Sequence, residues 1–407
     1  MVNRWKLSLK LIPHFLSCFG LFSVCWGGLS DDTLFLTWQR DPTRTMTVQW
    51  LGGGETDAAV LHFRKTEQEE WKELPSSQIS FQGACRYRLH RVELTQLEPE
   101  TSYRLKLQGS DLVFSFRTLP EKLSVPLRFV VGGDMLCGHP DAMIQTGKSA
   151  ASQDPSFALI GGDIAYSVAG TSFRQHEDPE RWVAWLKAWH LAMVTSDRRL
   201  IPILAAIGNH ETVGQFGQTP DQAQWFMRLF PHTRKTSYRL VDIGTYLSIW
   251  LLDSGHAQAV AGAQAAWLQT TLKSKPSNMH KLAVYHVPAY PSIRNFHNTR
   301  SSAVRRFWVP LFEKYGLQTA FEHHDHAYKR SRLLLANREH PQGILYLGDG
   351  AWGVTPRKPS AVQKPFYLEK VISKRHFILG VLEGETQHYT AIDEEGTILD
   401  QTSRVLR

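Results

Sequence analysis

Aspartate, histidine, asparagine and tyrosine recur in this 407-residue chain directly after short apolar segments, and in combination these side chains ligate metal ions. Gly133-Asp134 follows LRFVVG, Gly162-Asp163-Ile164-Ala165-Tyr166 follows FALI, and Gly208-Asn209-His210-Glu211 follows ILAAI. His286 follows KLAVY, and Glu322-His323-His324-Asp325-His326 follows residues 317–321. Each segment alone has an ordinary explanation. An Asp after Gly serves a turn or a helix cap, a His after a strand is hydrogen-bonded structure, and two His one residue apart form a surface pair. Five in fixed order, at 134, 163, 209, 286 and 324, make a different case. In open α/β folds, side chains just beyond the carboxyl ends of neighbouring strands converge on one crevice.

Such convergence needs strands, and the chain after residue 125 supplies them. The β-branched runs LRFVVG, FALIGG, ILAAIG, YLSIWLLD, KLAVYH and ILYLGD alternate with helical stretches, which is α/β organisation. Trp182, Trp185, Leu186 and Trp189 recur at helical spacing, as do Trp267, Leu268 and Leu272, and read as core. The C-terminal HFILGVLE and QHYTAIDEEGTILD read as hairpin strands around a Gly turn. Between Thr33 and Thr118 the pattern is all β, with six short strand-like runs separated by DPT, GGG and LEPET turns. Leu97 to Tyr103 resembles the tyrosine-corner segment of fibronectin type III domains. The expected organisation is a leader at 1–27, a fibronectin type III-like β-sandwich at 31–121 and a catalytic domain at 122–407.

The motif order resembles the calcineurin-like metallophosphoesterases and, within them, the purple acid phosphatases, whose segments read DxG, GDxxY, GNH(D/E), VxxH and GHxH. The resemblance implies an α/β fold: a metallophosphoesterase β-sandwich core flanked by helices, preceded by the all-β domain. It also implies hydrolysis of phosphate monoesters by a dinuclear centre with a metal-bound hydroxide. Carried over residue by residue, it makes Asp134, Asp163, Tyr166 and His326 ligands of Fe(III). Asp163 then bridges to a divalent Fe, Zn or Mn held also by Asn209, His286 and His324. Carboxylate and phenolate oxygens suit a hard trivalent ion, and an amide oxygen with two imidazoles suits a borderline divalent one. His210 and His297 fall near the family's catalytic histidines, His210 to contact a phosphate oxygen or leaving group or else to support its neighbours. Arg294 and Arg300 attract the anion or are merely solvated.

The chain departs from the pattern at Leu136, where the first motif has Gly, and at His323, where the last has Gly. Leu136 is expected to crowd the metal edge. His323 reads equally as a hydrogen-bonded neighbour or a substrate contact. Gly348-Asp349-Gly350-Ala351-Trp352-Gly353 matches GxGxxG, but Pro356 and Pro359 follow at once and leave no helix for a pyrophosphate. It resembles the phosphatases' GDG loop.

The first 27 residues carry Arg4, Lys6 and Lys10 before an apolar stretch, the order of a secretory signal, so the protein is expected to be exported, secreted or periplasmic. An uncleaved N-terminal anchor is the alternative. Cys85 and Cys137 are then the remaining cysteines, too few for a disulfide framework, with pairing and free thiols both open. The net charge of +8 forms no basic stripe interleaved with aromatics, so a small phosphorylated substrate is expected and no nucleic acid. Rival readings are a phosphodiesterase or nucleotide hydrolase sharing every ligand, and an extracellular binding protein with a degenerate metal site.

Overall fold

Alternating apolar segments build the N-terminal part of the computed structural model, which describes residues 29–53, 59–83, 85–168, 176–231, 236–276, 279–348, 350–359 and 365–406. The leader lies outside the described residues. A helical turn, α1 (Leu29–Asp32), precedes β1 (Phe35–Thr37), β2 (Met46–Gly52), β3 (Val60–Lys65), β4 (Lys72–Pro75), β5 (Ser77–Ser80), β6 (Arg88–Leu94), β7 (Ser102–Leu107) and β8 (Phe114–Arg117). Strands β4-β3-β7-β8 make one sheet, and β1-β2-β6-β5 pack on it over Leu36, Val48, Trp50, Leu61, Leu105 and Phe116. The Tyr103 hydroxyl accepts the Glu98 N–H at 2.9 Å, closing the LEPETSY segment as a corner. Strands β4 and β5 leave no apolar pattern in the sequence because each is a largely exposed sheet edge.

The rest of the chain continues with β9 (Leu127–Gly132), α2 (Asp141–Ala151), β10 (Phe157–Ile160), α3 (Pro179–Ala192), β11 (Ile203–Ala205), α4 (Gln224–Leu229), β12 (Arg239–Ile243), β13 (Leu247–Leu251), α5 (Ala263–Lys273) and β14 (His280–Val284). Then come α6 (Thr299–Phe307), α7 (Val309–Lys314), β15 (Thr319–Glu322), β16 (Tyr328–Ser331), β17 (Leu334–Leu335), β18 (Arg338–Glu339), β19 (Leu345–Gly348), β20 (Leu368–Ile372), β21 (His376–Glu383), β22 (Thr386–Asp393) and β23 (Ile398–Val405). Two sheets result: β12-β13-β14-β15-β19-β16-β20, and a ten-stranded sheet β23-β22-β21-β9-β10-β11-β1-β2-β6-β5. The larger sheet runs through both expected domains, because β1 pairs in parallel with β11, Thr37 opposite Ile203. A parallel contact between such distant segments has no local signature, so the sequence shows two successive units and not their shared sheet.

The period-two alternation of each strand explains the layers. Phe129, Val131, Leu159 and Leu204 face Ile249, Leu282, Val284 and Phe321 in a core between the sheets. Val130, Ala158 and Ile160 point the other way, against α3 and its buried Trp182, Trp185 and Trp189. On the far side, Ala283, Tyr285 and Tyr346 meet Leu268 of α5, Val304 of α6 and Phe312 of α7. Helices thus cover both outer faces, and β9, β10 and β11 run parallel, as do β13, β14, β15 and β19. Their carboxyl ends share one edge.

Candidate metal centre

The chain leaves those strand ends through unusual backbone. Asp134, Asp163, Tyr166, His324 and His326 all have left-handed φ, between 51° and 80°. A non-glycine residue there costs on the order of 1 kcal/mol or more, so five together mark a place where surrounding bonds impose the conformation. Asp134 N–H donates to the Gly162 carbonyl and Met135 N–H to that of Asp163, tying the first two loops together. His324 N–H donates to Asp134 Oδ2 at 2.9 Å, joining the last loop to the first. Glycine is required where these loops touch. A Cβ at Gly208 would lie 2.2 Å from the Asp163 nitrogen, and one at Gly350 would lie 1.9 Å from Asp134 Oδ2.

Seven of the expected residues meet in two adjoining groups. In one, His326 Nε2 lies 2.9 Å from Asp134 Oδ1, and the Tyr166 hydroxyl is 3.3 Å from each. In the other, His286 Nε2 lies 3.1 Å from Asp163 Oδ2, 3.1 Å from Asn209 Oδ1 and 2.9 Å from His324 Nδ1. Among the described residues Asp163, His286 and His324 are the set whose ligand atoms all fall within 4.8 Å of one another. His286 Nδ1 donates to the Gly161 carbonyl at 2.9 Å, and that carbonyl can only accept. In neutral imidazole Nε2 is then a lone pair facing two oxygen acceptors, Asp163 Oδ2 and Asn209 Oδ1, an arrangement that repels itself unless a proton or a metal cation sits among them.

The electrostatics say the same. Burial opposes charge on His286, yet Asp163 and Asp134 outweigh it and raise its pKa to about 9, so the site holds a proton where a metal would go. Burial also opposes ionisation of both aspartates, but His326 lowers Asp134, and His286 holds Asp163 well below the carboxylate range. Burial, followed by the charge on His286, keeps His324 neutral with its pKa well below the ordinary value. Burial, then Asp134 and Asp163, push the Tyr166 phenol well above 10. The residues fit a cation pair in number, chemistry and charge.

The remaining expected residues divide. His210 stacks on Tyr166 with ring centroids 4.3 Å apart; its Nδ1 donates to the Val168 carbonyl, leaving Nε2 3.9 Å from Asp163 Oδ2. His297 is not brought to the cluster. Its N–H bonds Asn295 Oδ1 and Asn298 caps α6, a turn that leaves the ring exposed against Phe296. Leu136 does not crowd the metal edge as expected: its side chain is buried in the core cluster that includes α3, and its N–H bonds the Ile164 carbonyl. Of the two roles left open for His323, the structure gives the hydrogen-bonded neighbour. The ring is buried against Gly161 and Gly133, Nδ1 lies 3.0 Å from the Tyr285 carbonyl, and burial lowers its pKa to about 4. Cys85 and Cys137 are both free thiols.

Four buried carboxylates that the sequence reading passed over hold the loops. Glu211 accepts N–H groups of Asp163 at 2.7 Å, Ile164 at 2.8 Å and Gly208 at 3.0 Å. Asp325 accepts from Ser292 and Ile293, and Glu322 from Ala289 and the Tyr285 hydroxyl. Asp253 accepts from Gly255, His256, Ala257 and Gln258. Their shared signal was available: each is an acid within or beside a strand-end motif, where free loop N–H groups gather.

Residues 32–118 match the family model described as the purple acid phosphatase N-terminal domain. Purple acid phosphatase 21 of Arabidopsis thaliana is 25% identical over 78% of this chain and 71% of its own length. Acid phosphatase type 7 of Mus musculus is 24% identical over 77% and 76%. A purple acid phosphatase from yellow lupin seeds superposes with a TM-score of 0.76 at 15% identity, covering 92% of this chain and 74% of the lupin protein. At that identity the likeness speaks for the fold.

Proposed function

The chain belongs to the purple acid phosphatase family and carries that family's N-terminal domain, and from that premise we propose that it hydrolyses phosphate monoesters at a dinuclear metal centre. One observation carries the reading: the Asp163 and Asn209 oxygens both face the His286 Nε2 lone pair when His286 is neutral, with His324 Nδ1 beside them at 2.9 Å. In this proposal they hold a divalent Fe, Zn or Mn, and Asp134, Tyr166 and His326 hold Fe(III), with Asp163 shared. When bound, such a pair supplies an activated water and positive charge for in-line displacement at phosphorus.

The chain's own groups do the rest. Glu211 and Asp325 fix the loops that aim the ligands, so little reorganises during reaction. His210, with its Nδ1–H committed to the Val168 carbonyl, presents Nε2 beside Asp163, where the protonated ring donates to a phosphoryl or leaving-group oxygen and the neutral ring accepts a proton. Tyr166 supports a trivalent ion in this proposal. Its phenol is buried beside two carboxylates that oppose ionisation, so a phenolate there requires a strongly charged cation at the hydroxyl. Export follows from the basic, apolar leader, and no helix among the described residues is long and apolar enough to cross a membrane.

The test is the visible spectrum of iron-loaded protein together with turnover of p-nitrophenyl phosphate and its bis-ester. A broad tyrosinate-to-iron band that Tyr166→Phe bleaches, with preference for the monoester, is expected. Active iron protein without the band, or a band that survives in Tyr166→Phe, overturns the Fe(III) assignment. Preference for the diester overturns the monoesterase assignment.

A further inference from the structure

We infer that Arg300 is a specificity-determining residue, binding a second anionic group on the leaving side of a phosphate ester or anhydride; the inference rests on the phosphohydrolase reading above. Its guanidinium lies flat on Phe216, with the central carbon 3.6 Å from the ring centroid. Phe216 in turn meets the His324 ring edge-on at 6.3 Å and the His256 ring at 4.8 Å. The guanidinium is therefore one aromatic ring removed from a histidine facing the candidate metal site. That offset suits a group beyond the reacting phosphoryl, not the phosphoryl itself.

The shelf under Arg300 is built, not incidental. Gly217 N–H donates to the Gly255 carbonyl at 2.9 Å and Gln218 N–H to that of His256 at 2.8 Å. His256 Nδ1 donates to the Gln215 carbonyl at 3.1 Å, while its Nε2 accepts from Ser254 Oγ, which itself accepts the Val287 N–H at 2.9 Å. Burial lowers the His256 pKa to about 3, so this relay stays in one protonation state. The loop carrying Phe216 is thereby pinned to the ends of β13 and β14.

What distinguishes Arg300 from its neighbours is that its donors are unused. Arg294 is paired with Asp325 and the His324 carbonyl, and Arg305 with the carbonyls of Ala289 and Phe296. Among the described residues Arg300 has no carboxylate or carbonyl partner, and it is exposed. Partial burial and then the nearby Arg294 charge lower its pKa, and the acid beside Arg294, Asp325, is bonded to Arg294 and not to Arg300. It also occupies the first turn of α6, which holds no acid and where the helix dipole disfavours a cation. Stacking leaves the in-plane N–H groups free for a planar or tetrahedral anion.

Calorimetric titration of the full-length, metal-loaded protein with pyrophosphate and with orthophosphate tests this, alongside kcat/KM for pyrophosphate and p-nitrophenyl phosphate. Arg300→Ala is expected to weaken pyrophosphate binding about tenfold or more and orthophosphate less than twofold. The pyrophosphate kcat/KM should fall in parallel through KM, with p-nitrophenyl phosphate little changed. Arg300→Lys should recover part of the loss, and Phe216→Leu, which removes only the shelf, should lose selectivity by an intermediate amount. Equal weakening of both ligands, weakening of neither, or a wild type that binds pyrophosphate no tighter than orthophosphate overturns the inference. Protein that binds both ligands yet turns over no phosphate ester overturns the phosphohydrolase reading instead, while the binding ratio still decides Arg300.

Discussion

The N-terminal strands of the ten-stranded sheet and the strand ends that form the site use buried polarity in opposite ways. In the N-terminal part the amide and guanidinium groups of the buried network are paired with acceptors, and Glu93 Oε1 is the network oxygen left without a partner. Gln39 Nε2 donates to Glu93, Arg91 Nε donates to Gln49 Oε1 at 2.7 Å, and Gln49 Nε2 donates to the Leu229 carbonyl at 2.8 Å. At the carboxyl ends of β10, β11, β14 and β15, acceptors face acceptors, and five non-glycine residues sit in left-handed backbone. A satisfied network stabilises and specifies packing, whereas an unsatisfied one persists only where an ion or substrate completes it. The difference separates structure from chemistry within one molecule.

Removing charge from the unsatisfied end should have the largest effect. Asp163→Asn takes away the carboxylate that His286, His324 and His210 all face, and is expected to lose about 10³-fold or more in turnover together with bound metal, by assay and elemental analysis. Wild-type metal content in that variant would return Asp163 to a turn residue. His210→Ala should keep its metal and lose about 10²-fold in kcat, since it touches the site without belonging to the acceptor cluster.

Glu211→Gln sharpens the comparison further, because it turns one acceptor into a donor that must face N–H groups of Gly208, Asp163 or Ile164. A loss of about 10- to 100-fold in metal affinity is expected, measured by chelator competition, as for other supports of ligand loops. Arg91→Ala acts in the N-terminal network. It strands Gln49 Oε1 and the Arg228 carbonyl, and should cost on the order of 1–3 kcal/mol in urea unfolding while kcat stays within about twofold. A fall in kcat there would mean the two regions are coupled.

The smallest expected effect is on pH dependence. Burial lowers the His376 pKa to about 4, whereas in the unfolded chain it titrates near 6.5. Between those values the unfolded state takes up a proton the folded state refuses, so stability falls as pH falls from about 6.5 towards 4. His376→Gln should flatten that limb by roughly one proton. An unchanged slope between pH 7 and 5 would place the acid sensitivity at other groups, such as His323 and His256.

The order and types of the strand-end residues were legible in the sequence because apolar period-two runs and the polar residues that end them are local features. The Trp182, Trp185 and Trp189 stripe was legible for the same reason, its spacing being that of one helix face. Three things were decided only by tertiary structure. The β1–β11 pairing joins the two units into one sheet through contacts between residues far apart in sequence. The outward turn of His297 depends on how Asn295 and Asn298 cap α6, which spacing from His286 does not determine. The shelf of Phe216 under Arg300 brings together loops after β11, β13 and β14, and a guanidinium's partners, or lack of them, exist only once those loops are packed.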